Sequence, residues 1–238
     1  MTSIQVQGIK KSFLVGQQLV PVLRGIDFSI SQGQFAIIFG PSGSGKSTLL
    51  HTILGLEEPT AGTVTMLGRD IYAHLTEDAR SEYRKEHVGM VYQQSHWVKS
   101  VNVLTNVSLP LLLLGEDTEN RLKKAMQTLE MFKMQAWAYH HPSELSSGQQ
   151  QKVSLARALI TDPEIIIADE PTGNLDFDSG QELMKMLKNL SKTLGKTVLM
   201  VTHDLSYLQY ADISLKVIDG MLAKDTRKTK PAQKDIEN

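Results

Sequence analysis

Apolar residues between positions 4 and 30 alternate in short runs broken by Gly16, Pro21 and Gly25, a spacing that predicts antiparallel strands and turns. The pattern changes at Phe35-Ala36-Ile37-Ile38-Phe39, a continuous apolar run typical of a strand buried on both faces, and Gly40 ends it. A helix is predicted over residues 47–56, where Leu49, Leu50, Ile53 and Leu54 have the spacing of one face packed on a sheet. Ile165-Ile166-Ile167-Ala168 and Val198-Leu199-Met200-Val201 predict two more buried strands, each running into polar residues. Strands that end in polar loops, with helices between them, imply an open α/β sheet whose ligands sit at the strands' carboxyl ends. Residues 97–141 read as helical, and Leu122, Met126, Leu129 and Phe132 share one face of a helix over about residues 119–134. A helical subdomain is therefore expected as an insertion at about 97–160, where it offers a surface for partners. Residues 224–238 are polar and of mixed charge and contain Pro231, which predicts a tail following a single domain of residues 1–223.

With 238 residues, 41% of them hydrophobic, the chain can bury one substantial core. It contains no cysteine, which excludes a disulfide framework, a thiolate metal site and a thiol nucleophile, and a cytosolic home is favoured. A net charge of -1 lacks the basic excess that nucleic acid requires, so no nucleic-acid partner is expected. The start, Met1-Thr2-Ser3-Ile4-Gln5, shows no basic region followed by an apolar run, so no secretory leader is expected. The longest apolar stretch, residues 109–114, is interrupted by Pro110 and falls far short of the roughly 20 residues of a membrane-spanning helix.

Chemistry enters at Gly40-Pro41-Ser42-Gly43-Ser44-Gly45-Lys46-Ser47, a G-x-x-x-x-G-K-[ST] string lying between a buried strand and a helix, as that motif requires. Its glycines let the backbone wrap a polyphosphate with N–H groups, and the helix that follows, beginning Ser47-Thr48, points its positive end at the same anion. Lys46 is placed to reach the β- and γ-phosphates, and the Ser47 hydroxyl to ligate Mg²⁺. A magnesium nucleotide also needs an acid at the tip of a neighbouring strand. Asp169 and Glu170 supply two in succession, Asp169 for the metal and Glu170 to orient or deprotonate the attacking water.

Leu145-Ser146-Ser147-Gly148-Gln149-Gln150-Gln151-Lys152, continuing to Leu159, resembles the signature sequence of the nucleotide-binding domains of ABC transporters, which usually begins Leu-Ser-Gly-Gly-Gln. Ser146, Gly148 and Gln149 match that signature. Ser147 replaces the first glycine of the pair, a change with a cost wherever that glycine has an unusual backbone conformation. Val88-Gly89-Met90-Val91-Tyr92-Gln93 is similar to the loop whose glutamine reaches the metal and the attacking water and senses the membrane subunit, which assigns those roles to Gln93. Thr172-Gly173-Asn174-Leu175-Asp176 resembles the loop that crosses to the second site, with Asp176 as its acid, and Val201-Thr202-His203-Asp204 the switch in which a histidine holds the γ-phosphate. Phe13 stands where the family places an aromatic stacked on adenine, and Val22 is expected to complete that wall.

The resemblance covers residues 13–220 and implies a P-loop NTPase core of the ABC type, with an antiparallel β subdomain and an inserted helical subdomain. It also implies ATP and Mg²⁺ as ligands, a second copy of the chain across the nucleotide sites, integral membrane permease subunits as partners, and a peripheral place on the cytoplasmic face of the cell membrane. Asn106-Val107-Ser108-Leu109-Pro110 and the string 168–176 look similar to the group serving lipoprotein release and macrolide efflux, which suggests export. The alternatives are an ABC ATPase regulating a membrane partner at the division site, and a soluble ABC ATPase of translation or repair. The soluble kind usually carries two such domains or a long coiled coil, neither of which is visible in these residues.

Overall fold

The computed structural model describes residues 1–73 and 75–227. Two sheets share the work. A four-stranded antiparallel sheet has the order β2-β1-β4-β5, formed by β1 (Thr2–Val15), β2 (Gln18–Ser31), β4 (Ala61–Met66) and β5 (Arg69–Asp70). A six-stranded sheet has the order β10-β9-β3-β8-β7-β6, formed by β3 (Phe35–Phe39), β6 (Val88–Tyr92), β7 (Ile165–Asp169), β8 (Thr197–Thr202), β9 (Ile213–Ile218) and β10 (Met221–Arg227). All of its pairings are parallel except β10 with β9.

The continuous apolar runs are explained by burial on both faces. Phe35 and Ile37 of β3, Ile166 and Ala168 of β7, and Val198 and Met200 of β8 point into one core shared with the helices α3 (Val103–Leu113), α4 (Thr118–Met131), α5 (Ser147–Leu159) and α6 (Phe177–Thr193). The alternate residues Ala36, Ile38, Ile165, Ile167, Leu199 and Val201 point into a second core, shared with α1 (Lys46–Ile53), α2 (Glu77–His87) and the antiparallel sheet. With a period of two, neighbours along each strand serve opposite cores, so between their first and last residues β3, β7 and β8 leave no position for a polar side chain.

The helical subdomain begins later than the apolar pattern suggests. Residues 98–102 are not helical, because the buried Asn106 amide donates to the carbonyls of Val98, Val101 and Asn102 at 3.0–3.1 Å and accepts from Val98 N at 2.9 Å. Asn102 then caps α3 by accepting from Thr105 N. The expected helix over 119–134 ends at Met131, where Lys133 turns left-handed (φ 57), although Phe132 and Met134 still reach the core. The expected tail is corrected in part. Residues 224–227 continue β10, pairing with β9 from Met221↔Ile218 to Arg227↔Ile213. An edge strand needs only its backbone bonds on one side and tolerates polar side chains, so composition alone conceals it. The rest of that predicted tail, residues 228–238, lies outside the described residues.

Candidate functional site

The register of the parallel sheet decides what meets at its carboxyl edge. Tyr92 pairs with Asp169, Asp169 with Val201, and Thr202 with Phe39. Residues one step further along these strands, Gln93, Glu170, His203 and Gly40, therefore emerge side by side on one edge.

The loop from Gly40 to Gly45 turns back on itself through three glycines with positive φ: Gly40 (155), Gly43 (78) and Gly45 (97). At Gly40 the space is closed as well as the angle, since a Cβ there would lie 2.0 Å from the Val217 carbonyl oxygen of β9. Below the loop, Gly220 N donates to Ser44 O at 3.1 Å, so the β9–β10 turn braces it. The Ser44 hydroxyl is buried without a hydrogen-bond partner among the described residues. Lys46 is also buried, and its ammonium donates to Gly40 O and Pro41 O, each at 2.9 Å. Pro41, Ser42 and Ser47 are exposed and Thr48 is half-buried at the start of α1.

Asp169 closes β7. Burial pushes its carboxyl above the usual carboxylate range, the neighbouring charge of Glu170 adds to this, and His51 and Lys46 oppose it. Glu170 adopts a left-handed backbone (φ 46), with its N–H on Val201 O at 3.0 Å. For a non-glycine residue that conformation is strained, and such strain concentrates at working sites. Its effect is to aim the carboxylate across the strand ends. The Glu170 oxygens lie 3.0 and 2.9 Å from His203 Nδ1, and Thr202 Oγ1 is 3.5 Å from Oε2.

Gln93 is exposed, and its amide lies against Gly173 and 3.5 Å from Asn174 Oδ1, while Asn174 Nδ2 donates to Gln93 O at 3.3 Å. Asp176 caps α6, accepting from Ser179 N (2.9 Å) and Ser179 Oγ (2.8 Å), and these bonds hold its carboxyl below the usual range. Ser146 caps α5 in a reciprocal box. Its hydroxyl accepts from Gln149 N at 3.3 Å, and the Gln149 side chain accepts from Ser146 N at 2.9 Å. Gly148, one residue earlier in α5, packs against Ser179 of α6 with 2.9 Å between an added Cβ and the hydroxyl oxygen. Ser147 is the first residue of α5 and is not among the positive-φ residues, so the backbone cost attached to losing glycine at this position does not arise.

Thus Gly40 to Thr48, Gln93, Asp169, Glu170 and His203 converge, whereas Ser146, Gly148 and Gln149 sit on the helical subdomain, on a helix packed against β6, α3, α4 and α6. Phe13 stands half-buried on β1 opposite Val20, with the Lys11 ammonium 4.9 Å from its ring centre. A cavity of about 380 Å³ beside Gly43 is lined by Val20, Pro21, Val22, Arg24, Asp219 and Gly220. Val22 lines this cavity, and Phe13 is not among its lining residues. Motif reading does not place Gly173 and Asn174 as neighbours of Gln93, and it gives Gln151 and Arg157, both within the signature string, no role of their own. Their roles are contacts between segments distant in sequence, for which no local pattern exists.

The ABC transporter family model matches residues 23–173. Among curated proteins, the chain is 40% identical over 221 residues to an uncharacterized ABC transporter ATP-binding protein of Methanocaldococcus jannaschii, an alignment covering 93% of this chain and 98% of that protein. It is 38% identical over 237 residues to the macrolide export ATP-binding/permease protein MacB 2 of Yersinia pestis, covering 98% of this chain but only 35% of the relative, so the chain spans about a third of that protein's length. Among solved structures, the ATP-binding cassette MJ0796, a dimer in a post-hydrolysis state bound to ADP and Pi, superimposes with a TM-score of 0.86 at 35% identity, covering 95% of this chain and 99% of that one. The family match and these relatives show that the chain belongs to the ABC transporter family and has the fold of its ATP-binding cassettes.

Proposed function

We propose that this chain is the ATP-binding and ATP-hydrolysing subunit of an ABC transporter, acting as one cassette in a pair of identical copies that enclose two MgATP. The observation that carries the reading is the convergence of the glycine loop, Asp169, Glu170, Gln93 and His203 on one sheet edge. The triphosphate would lie in the loop formed by Gly40, Pro41, Ser42, Gly43, Ser44 and Gly45, taking N–H groups from it and from the start of α1 at Lys46, Ser47 and Thr48. Two features fit an anion there: the buried Ser44 hydroxyl lacks a partner among the described residues, and the Lys46 ammonium is held there by two carbonyls it can exchange for phosphate oxygens. Ser47, Asp169 and Gln93 offer the hard oxygens that magnesium prefers, with substrate phosphates completing the set. When bound, the ion would neutralise charge on the β- and γ-phosphates.

In this reading Glu170 aligns a water and takes its proton as the water oxygen bonds the γ-phosphorus, the bond to the bridging oxygen breaks, and ADP and phosphate leave. His203, bonded to Glu170, contacts the γ-phosphate and fixes the carboxylate. Adenine would rest by Val22 and Phe13. Ser146, Gly148 and Gln149 of one copy would face the γ-phosphate held by the other, and the loop ending at Asp176 would cross between sites. Such an isologous arrangement closes on itself as a dimer. Loss of the γ-phosphate removes the contact shared by both chains, which lets the pair open.

The membrane partners in this reading are integral permease subunits, docked near Gln93 and the helical subdomain, with the chain peripheral on the cytoplasmic face. No helix among the described residues is long and apolar enough to cross a membrane. The likeness to MacB, named as a macrolide export ATP-binding/permease protein, favours export over uptake.

The test is Glu170→Gln. Turnover should fall about 10²- to 10⁴-fold, the usual loss for a general base. ATP binding should persist, and light scattering should show an ATP-dependent dimer. Parent-like turnover overturns the role of Glu170, and a protein that neither binds ATP nor pairs overturns the whole reading.

A further inference from the structure

The helix that carries the Ser146 cap is tied to two loops of the catalytic edge by one side chain. Gln151 is 3% exposed, and its amide nitrogen donates to Pro171 O at 2.7 Å and Tyr92 O at 3.0 Å and lies 3.5 Å from Gln93 O. Its amide oxygen accepts from Ser95 Oγ at 3.4 Å. Pro171 follows Glu170 and Tyr92 precedes Gln93, so each anchor is adjacent to a residue assigned to hydrolysis. The Gln93 carbonyl is bonded from the other side by Asn174. Arg157, two turns along the same helix, bonds only the glutamine-loop carbonyls of Ser95 and His96 and stacks over Trp97 at 4.5 Å. Among the described residues, Gln151 is thus the α5 side chain that hydrogen-bonds both loops.

We infer that Gln151 is a positioning residue that locks α5 to Glu170 and Gln93 of its own chain and so couples the two nucleotide sites. The inference rests on the proposed sandwich dimer, in which a chain's Glu170 and Gln93 serve its own nucleotide while its Ser146 serves the partner's. Gln151 is nearly wholly buried although it borders a cavity under the Gln93 loop, so removing its N–H group takes a buried donor from the Pro171 and Tyr92 carbonyls. A shift of α5 on clamping the partner's phosphate therefore carries the Pro171 and Tyr92 carbonyls with it. The three acceptors are all carbonyl oxygens, so the position requires a donor. Methionine matches the length and volume without donating.

The experiment uses Gln151→Met. In the homodimer, kcat should fall at least tenfold with ATP affinity and KM within threefold of the parent. In the Glu170→Gln background, ATP-dependent pairing should persist. The coupling itself is read in a mixed dimer where one chain carries Lys46→Ala, leaving only the partner's phosphate loop competent. Adding Gln151→Met to that Lys46→Ala chain should lower the remaining turnover at least threefold, although every group of the working phosphate loop, with its Glu170 and Gln93, is unaltered. Unchanged turnover in that mixed dimer overturns the coupling, as does a homodimer loss matched by an equal loss of ATP binding. If Glu170→Gln alone fails to pair with ATP, the sandwich reading falls first and takes the inference with it.

Discussion

Gly173→Ala isolates the placement of Gln93 from its chemistry. Gly173 N bonds Glu170 O at 3.1 Å in the turn that follows β7, and its φ is not positive, so an alanine backbone is allowed there. The added Cβ would lie 2.6 Å from Gln93 Nε2, 3.0 Å from Cδ and 3.3 Å from Cγ, with no other heavy atom as near. Unstrained contact begins near 3.5 Å, so the amide must retreat by about 1 Å. Because the clash is with the far end of an exposed side chain, the fold yields cheaply, and the melting temperature should stay within about 3 °C of the parent, under roughly 1 kcal/mol for a chain of this size. Catalysis is less forgiving: a misplacement of about 1 Å in a positioned group can cost up to ~10²-fold, close to 2.7 kcal/mol in barrier height. Phosphate release should therefore show kcat down about 10- to 100-fold, with KM and the ATP Kd within about threefold, the split expected when only transition-state contacts are lost. A kcat within threefold of the parent at unchanged Tm would refute the claim that the position of Gln93 matters to hydrolysis.

Gly40→Ala should behave oppositely, because its Cβ would meet backbone, the Val217 carbonyl oxygen at 2.0 Å, which no side-chain movement relieves. We expect a loss of about 2–4 kcal/mol, seen as a fall in Tm of roughly 5–15 °C with weakened nucleotide binding, and an unshifted Tm would contradict the structure of the loop. Asp212 sets the acid limb of stability. Burial raises its carboxyl, but the Phe35 N–H at 2.9 Å and the ammonium groups of Lys188 (2.9 Å) and Lys192 (3.0 Å) outweigh this and hold it below the usual range. A carboxyl depressed in the folded state adds stability above its unfolded value, about 3.9, and loses it as pH falls through the folded value. Asp212→Asn should lower Tm at pH 7 by about 2–6 °C, on the order of 1–2 kcal/mol after solvent screening, with the gap closing below about pH 4. A deficit independent of pH would show that the charge is not what matters.

Much of the site is legible in the sequence alone, because its parts are contiguous. The loop from Gly40 to Ser47 is a single string whose glycines and lysine have meaning only together. The runs 35–39, 165–168 and 198–201 declare themselves because strands buried on both faces leave no polar position until they end, and those ends carry Gly40, Asp169 and His203. Other features depend on which segments lie side by side. The order β10-β9-β3-β8-β7-β6 set Gln93, Glu170 and His203 next to one another, and pairing between distant strands leaves no trace in a local pattern. The polar end of the edge strand β10 reads as a tail in the sequence, since one-sided pairing demands no apolar face. The left-handed backbone of Glu170, whose N–H bonds Val201 O of a neighbouring strand, leaves no mark on residue type or spacing. Gln151 reads as one more polar residue in a helix until folding buries it beneath three carbonyls drawn from two other loops. Residue type and spacing thus determined which groups stand at the strand ends, and long-range packing alone decided how they are aimed and what holds them there.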